Sequence, residues 1–406
     1  MLKAYKFRIY PNDKQKVSLT KQFGASRFVW NYFLDIRNRK YTETGQGMTY
    51  NQMASMLTEM KKKEEYAWLN DANSQSLQQT LMHLDTGFKR FFKNLAKYPN
   101  FKKKRSRQTL TVPQNFLLIG NHITIPKMKV PIRVFMHRNI SGVVKSLTIS
   151  MTPSGKYYTS ILVEETNATS EKQTISPNTS VGVDMGLTSF LISSNGLQID
   201  NPKNLKKSEK KLTKRQRRLS RKKKGSKNME KARIKVAAVQ EHISDQRNDF
   251  HNKVSDVLTR EYDTICVEDL NVSGMMKNHH LAKSISDAGW SSFMTMLKAK
   301  AASRGKNIIE IDRFDPSSKL CSNCGNMKND LKLSDRNYHC DVCGLAIDRD
   351  LNAAINIKRF GLIKSGIPTD SGKLKPVDRS ANTLSLLEKE GIAQVHRLKQ
   401  EAPCFS

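Results

Sequence analysis

Apolar and polar residues alternate at the start of the chain: Tyr5, Phe7 and Ile9 against Lys6 and Arg8 predict a half-buried strand over residues 2–10, closed by Pro11. From about residue 14 to 97 the period changes to that of helices. Leu77, Leu81, Leu84, Phe88, Phe91 and Phe92 recur at spacings of three and four, one apolar helix face. After the basic run Lys102-Lys103-Lys104-Arg105, short β-like segments follow, broken at Gly120-Asn121, Ser141-Gly142 and Ser154-Gly155. Residues 106–166 are therefore expected to form a small β-barrel, completed by the amino-terminal strand and carrying an inserted helical domain.

A second alternation surrounds Asp184. Val181 and Val183 precede it, Leu187, Phe190 and Ile192 follow, and Asn195-Gly196 ends the run with a hairpin signal, so the segment is expected to be the first strand of another sheet. Thr264 to Val267 predicts a strand with Glu268 at its carboxyl end, before a turn toward Gly274. Asp350 opens a predicted helix, Leu351-Asn352-Ala353-Ala354-Ile355-Asn356-Ile357, where a carboxylate suits the helix dipole.

An RNase H-like fold brings such elements together, and the order Asp, Glu, Asp resembles its RuvC branch more than the Asp, Asp, Glu order of many cut-and-paste transposases. Phosphodiester hydrolysis needs the attacking and departing oxygens stabilised together, which two divalent ions about 3.5–4 Å apart can do. Hard Mg2+ ions take oxygen ligands and keep several waters. Asp184, Glu268 and Asp350 are thus the candidate catalytic residues and ligands of two Mg2+ ions, for which Mn2+ could substitute. One Asp after an apolar strand is ordinarily a turn or cap residue; three in this order on these elements argue for a metal site.

Charge narrows the partners. With 70 Lys and Arg against 37 Asp and Glu the formal charge is +33, which favours nucleic acid. The 406 residues suffice for two or three domains, and the 37% hydrophobic content is modest. No apolar stretch of about 20 residues occurs, so no membrane span is expected. The amino end lacks a signal-peptide core, and the expected location is the cytoplasm, nucleoid-associated when bound to DNA.

Cys321/Cys324 and Cys340/Cys343 form two CxxC pairs separated by fifteen residues, the spacing of a zinc ribbon. Gly325 and Gly344 follow the second cysteine of each pair, and four thiolates complete a structural Zn2+ site without His339. Disulfide pairing is opposed by the reducing compartment and the paired spacing. Cys266 is expected to be buried and inert in a core strand, and Cys404 lies in the tail. The ribbon ends seven residues before Asp350, so it could guide a strand inward, brace Asp350, or merely staple a long connection.

Between residues 203 and 235 the only acids are Glu209 and Glu230, and Leu205, Leu212 and Leu219 repeat every seven positions. A long basic helix or helical hairpin is predicted. Such an excess of charge repels itself unless a polyanion neutralises it. Lys214, Arg215, Arg217, Arg218 and Arg221 join Lys102, Lys103, Lys104 and Arg105 as candidate nucleic-acid contacts. His242, Arg247, Asp249 and His251 follow on a helix leading to the Glu268 strand, both histidines expected to be structural.

VGVDMGL, ICVEDLNV, SSKLCSNCG, YHCDVCG and DRDLNAAINI, with FKRFFKNLAKYPNFKKK upstream, resemble the TnpB family encoded by insertion sequences, relatives of type V CRISPR effector nucleases, over roughly residues 1–360. The resemblance implies an RNA-guided DNA endonuclease of a transposable element. A guide RNA would pair with one strand of double-stranded DNA beside a short flanking motif, and one RuvC site would cut both strands. Asp184, Glu268 and Asp350 match the family's triad. Asp350, the acid directly before Leu351-Asn352, matches better than Asp348. Tyr50, Ser74, Gln75, Gln78 and Gln79 fall where similar proteins read the flanking motif, although polar residues at a helix start are ordinarily caps and solvated positions.

The implied architecture is α+β and multidomain: a wedge-like barrel (1–12 and 106–170), a helical recognition domain (13–105), a RuvC nuclease domain (178–312 and 345–362), a zinc ribbon (313–344) and a flexible tail (363–406). A monomer with one guide RNA is expected. Two rival readings are a guide-free metal-dependent nuclease or transposase using the same triad, and a catalytically silent RNA-guided regulator, which would have lost an acidic ligand.

Overall fold

In the computed structural model, which describes residues 2–165, 171–332, 334–368, 380–392 and 395–398, β1 (Leu2–Tyr10) buries Tyr5, Phe7 and Ile9 as its alternation predicts. Asn12 then starts α1 (Asp13–Thr44) with a capping box. Its side chain accepts from the Gln15 N–H at 2.9 Å, and the Gln15 side chain accepts from the Asn12 N–H at 2.8 Å. α2 (Tyr50–Met60), a 3-10 segment (Glu64–Asp71) and α3 (Ser74–Phe92) complete a helical layer. Leu77, Leu81, Leu84 and Phe88 pack with Val29, Phe33, Met53 and Leu57. The expected stripe stops there, since Phe91 is half-buried and Phe92 exposed.

β2 (Gln108–Val112), β3 (Leu117–Ile119), β4 (His122–Thr124), β5 (Ile132–Phe135), β6 (Val143–Met151) and β7 (Tyr157–Glu164) join β1 in one antiparallel sheet, order β2-β6-β7-β1-β5-β4-β3. The sheet curls around a core shared by Leu110 and Val112 of β2 and Ile123 of β4. Its hydrogen bonding leaves β2 and β3 as edges, so the expected barrel is a curled open sheet; β3 and β4, three residues each, are too short to close it. These elements form one compact unit, residues 1–168 with 219–238. Residues 219–238 join it through Arg233, whose guanidinium donates to the Pro153 carbonyl at 3.1 Å, and Glu230, 3.9 Å from Arg105. Nothing in the sequence suggested that placement.

The second unit comprises residues 169–218 and 239–406. β8 (Ser180–Asp184), β9 (Ser189–Ser193) and β10 (Leu197–Asp200) lead into α4 (Asn204–Ser220) and α5 (Lys227–Glu261). β11 (Thr264–Glu268), α6 (Val272–Met275), α7 (His279–Ala288), α8 (Trp290–Ser303) and β12 (Asn307–Ile311) follow. The short pair β13 (Asn337–His339) and β14 (Ala346–Asp348) precedes α9 (Arg349–Lys364), α10 (Ser380–Lys389) and β15 (Val395–Arg397). The sheet order is β12-β11-β8-β9-β10-β15, with β8, β11 and β12 mutually parallel and β9, β10 and β15 antiparallel. The run around Asp184 is therefore two strands, not one. The chain reverses at 185–188, where a Cβ on Gly186 would lie 2.9 Å from the Ser189 carbonyl oxygen, and again at Asn195-Gly196.

The basic segment forms two helices, α4 and α5, broken at residues 221–226, and α5 runs on to deliver the chain to β11. His251 is fully buried on it, 2.8 Å from the Ala288 carbonyl and stacked on Phe190; burial pushes its pKa down to about 4. His242 is exposed, so its expected structural role is not met. Cys266 is wholly buried in β11, and burial raises its thiol pKa to about 12.

Two small residues set α9 flush against the sheet. A Cβ on Gly182 would lie 2.1 Å from the Ala354 carbonyl oxygen, and one on Gly361 would lie 2.4 Å from the Cys266 sulfur. Gly182→Ala should thus force the helix off β8. The expected cost is about 1–3 kcal/mol, read as a lowered thermal midpoint.

Asp256 fastens α5 to α8. Arg304 Nη2 donates to its Oδ1 at 2.6 Å, Arg260 Nε to its Oδ2 at 2.7 Å, and Lys300 Nζ lies 3.3 Å away. Burial alone would raise this carboxyl, but the Arg304 and Arg260 hydrogen bonds and the Lys300 charge outweigh it and hold the pKa at about 2. A folded pKa depressed below the unfolded value of about 3.9 contributes stability at higher pH and loses it as pH falls from about 4 toward 2. Asp256→Asn should cost about 1–2 kcal/mol at neutral pH and flatten that part of the acid-unfolding curve, measurable by denaturant titration at each pH.

Candidate metal centres

Parallel pairing sets the first two carboxylates. Val183 of β8 pairs with Val267 of β11, so the next residues, Asp184 and Glu268, emerge level at neighbouring strand ends. α9 supplies the third. Its Ala354 rests on Gly182, and Asp350 lies four residues back along the helix, about 6 Å. Asp184 lies two residues along the strand, about 6.6 Å. The two advances match, which brings the helix start over the strand ends.

Both other carboxylates lie near enough to act on Asp184. Burial pushes the Asp184 carboxyl well above the usual carboxylate range, and the neighbouring Glu268 and Asp350 carboxylates push it further, against Arg349 and the Met185 N–H. The Ser317 hydroxyl donates to Glu268 Oε1 at 2.7 Å. Arg349 donates to Asp350 Oδ1 from Nε at 3.2 Å and Nη2 at 3.1 Å, and Arg336 lies 3.9 Å from Oδ2. Asp348, the rival third acid, is the N-cap of α9, accepting from the N–H groups of Asp350 and Leu351 at 2.9 and 3.0 Å. Its oxygen is committed to the helix end. The three clustered carboxylates suit a hard cation, but they are not drawn in around a single ion. Among the described residues, the four cysteines are the group of three or more such ligands whose ligand atoms all lie within 4.8 Å of one another.

The cysteine site is two copies of one knuckle. Gly325 N–H donates to the Cys321 carbonyl and Gly344 N–H to the Cys340 carbonyl, each at 3.0 Å, with both glycines at positive φ, 77° and 69°. Cys321 and Cys343 sulfurs lie 3.6 Å apart, as do those of Cys324 and Cys340. Four sulfurs about 2.3 Å from a tetrahedral zinc would be about 3.8 Å apart, so the set fits Zn2+. His339 is exposed and outside the cluster.

The knuckles are tied to α9. The wholly buried Asn352 and Asn356 donate to the Leu320 carbonyl at 2.8 and 2.6 Å, Asn356 also to that of Ser317 at 2.8 Å, and Asn352 accepts from the Ser322 N–H at 2.9 Å. Sequence reasoning quoted these asparagines without assigning them a role, and missed Ser317 and Arg349. Two buried asparagines one turn apart were the available signal.

The other candidate contacts scatter. Lys103, Lys104, Arg105, Lys214, Arg217, Arg218 and Arg221 are exposed, and Arg215 is half-buried. Lys102 is turned onto the Trp30 ring, 3.7 Å from its centroid, and burial lowers its pKa to about 8, so it does not project as an open phosphate contact. Tyr50 is half-buried against the helical core. Ser74 accepts from Lys61 Nζ at 2.8 Å, Gln79 lies 3.2 Å from His83, Gln78 is exposed, and Gln75 is half-buried. Of the expected tail, residues 363–368, 380–392 and 395–398 are described, among them α10, whose Leu387 is buried in the core, and β15; Cys404 lies outside the described residues. Among the described residues no helix is long and apolar enough to cross a membrane.

Known proteins resemble this chain over most of its length. A family model described as a probable transposase matches residues 160–279, which include Asp184 and Glu268. One described as the Cas12f1-like TNB domain matches 290–357, spanning the four cysteines and Asp350. A third, described as a helix-turn-helix domain, matches residues 1–46, which here form a strand and one continuous helix. A Streptomyces pristinaespiralis protein whose name proposes an RNA-guided DNA endonuclease is 40% identical over 89% of this chain and 90% of its own. Escherichia coli K12 InsQ, whose name proposes the same, is 32% identical over 92% and 96%. The cryo-EM structure of a Cas12f1–sgRNA–target DNA complex aligns over 88% of this chain and 99% of that one at 14% identity, with a TM-score of only 0.33.

Proposed function

Because the chain belongs to the TnpB family of insertion sequences, we propose that it is an RNA-guided endonuclease that cuts double-stranded DNA beside a short flanking motif, at one RuvC-type site formed by Asp184, Glu268 and Asp350. The observation that carries this reading is the level pairing of Asp184 and Glu268 at parallel strand ends, with Asp350 brought to them by α9. The strand order, three antiparallel strands extended by two parallel ones beside the first, supports an RNase H-like fold.

Two Mg2+ ions bound by these carboxylates would polarise the scissile phosphate and make bound water a nucleophile near neutral pH. The chain's own groups prepare the site. Ser317 holds one oxygen of Glu268 and leaves the other for a ligand; Arg349 orients Asp350 and offsets part of the negative charge. Structural Zn2+ on Cys321, Cys324, Cys340 and Cys343 would fix the loop that carries Ser317. The exposed cations of α4 and of residues 103–105 would hold RNA and DNA phosphates, and Tyr50 and the start of α3 would face the flanking motif.

The test is to sequence the RNA that co-purifies when the protein is expressed with the DNA flanking its gene. A discrete RNA with a constant scaffold and a variable 3′ end is expected. Heterogeneous cellular RNA, or none, would favour a guide-free nuclease.

A further inference from the structure

Phe314 is 92% exposed, more than any other large hydrophobic side chain among the described residues. A phenyl ring left in water is ordinarily the tip of a mobile loop, but this one is held. Asp315 accepts from the Asp312 N–H at 2.9 Å and returns its own N–H to the Asp312 carbonyl at 3.1 Å, closing a tight turn around residues 313 and 314. Arg313 is paired with Asp269 at 2.5 Å, Lys364 with Asp312 at 2.6 Å, and the Ser317 N–H with the Asp315 carbonyl at 2.7 Å.

The place where the ring is held carries the argument. β12 ends at Ile311, paired with Glu268, so the turn begins level with the carboxylates. Three residues beyond Phe314, Ser317 donates to Glu268, so the Phe314 Cα stands within about 10 Å of the Cα of a residue touching the site. At 3.4 Å per nucleotide that distance is about three nucleotides of strand. Its chain neighbours are Arg313 and Asp315, not further apolar side chains, which makes a single flat platform rather than a protein-docking patch. Every nucleobase offers a π-face to such a platform.

We propose that Phe314 is a positioning residue: it stacks an unpaired base of the DNA strand being cut, within about three nucleotides of the scissile phosphate, and so registers that phosphate on the carboxylates. The inference rests on the nuclease reading, and its test separates the two. The guide-loaded complex would be prepared as wild type, Phe314→Ala and Phe314→Tyr and given matched target DNA in single-turnover reactions. Phe314→Ala should slow cleavage about tenfold or more without weakening target binding, while Phe314→Tyr stays within about twofold. An abasic nucleotide at one position near the cut should slow wild type equally yet add nothing to Phe314→Ala.

A second arm needs no cleavage. In the Asp184→Ala background, 2-aminopurine placed at that position should be quenched by stacking with Phe314 present and brighten in Phe314→Ala. Unchanged fluorescence, or abasic and Phe314→Ala effects that simply multiply, would overturn the assignment. A Phe314→Ala defect confined to target binding or to self-association would overturn it in favour of a protein-facing role. Quenching without any cleavage by the wild-type complex would retain the platform while rejecting the nuclease.

Discussion

Asp184→Ala should lower metal-dependent cleavage by the RNA-loaded protein ~1000-fold or more, since the polarisation supplied by a correctly held ion is worth several kcal/mol and each 1.36 kcal/mol is a factor of ten. Guide retention and target binding should survive, because the exposed cations proposed to hold phosphates do not include this carboxylate. Cleavage rate and target binding, measured on the same preparation, check both halves. Undiminished cleavage would remove Asp184 from the reaction and with it the reading of the strand ends. The loss follows from position: Asp184 is the member that both other carboxylates bear upon, in line with Glu268 across a parallel pair and facing the start of α9.

Cys321→Ser should abolish zinc binding and take the ribbon's order with it. Structural zinc sites of this type contribute about 10 kcal/mol or more of folding free energy, and Cys321 is the ligand with no exposed surface. Metal content should fall from one zinc per chain toward none and the thermal midpoint should drop, while Cys266→Ala, at a cysteine remote from the cluster, keeps its zinc. Retention of one zinc per chain in Cys321→Ser would refute the ligand set. Cleavage should fall as well, because the loop anchored by the first knuckle contains Ser317, which holds Glu268.

How much of this was legible in the sequence varies with the range of the interaction. Alternation in β1 and the apolar face of α3 are local patterns, and both carry through to burial. The run around Asp184 misled because a period of two passes unbroken across a tight glycine turn, so one strand was expected where a hairpin stands. His242 and His251 were treated alike, but nine residues at about 100° each place them on opposite faces of a helix, and one had to meet solvent. The cysteine spacing was decisive because a knuckle is a local structure. Ser317 and Phe314 were invisible for the opposite reason: their proximity to Glu268 depends on the register of β12 against β11, which no short window of sequence contains. The choice between Asp348 and Asp350 rested on a motif; the capping of α9 by Asp348 Oδ1 depends on the helix start and could not be read from it.

Asn352 and Asn356 grip the knuckle loop by main-chain groups: the carbonyls of Ser317, Ser318 and Leu320 and the N–H of Ser322. A grip on the backbone is indifferent to the side chains it passes. The segment between the two cysteine pairs can therefore drift in sequence, or change in length at its tip, while its base keeps one fixed address beside Glu268. The ribbon behaves as an exchangeable tool on a permanent mount, and a lineage could retune what the finger touches without realigning the blade.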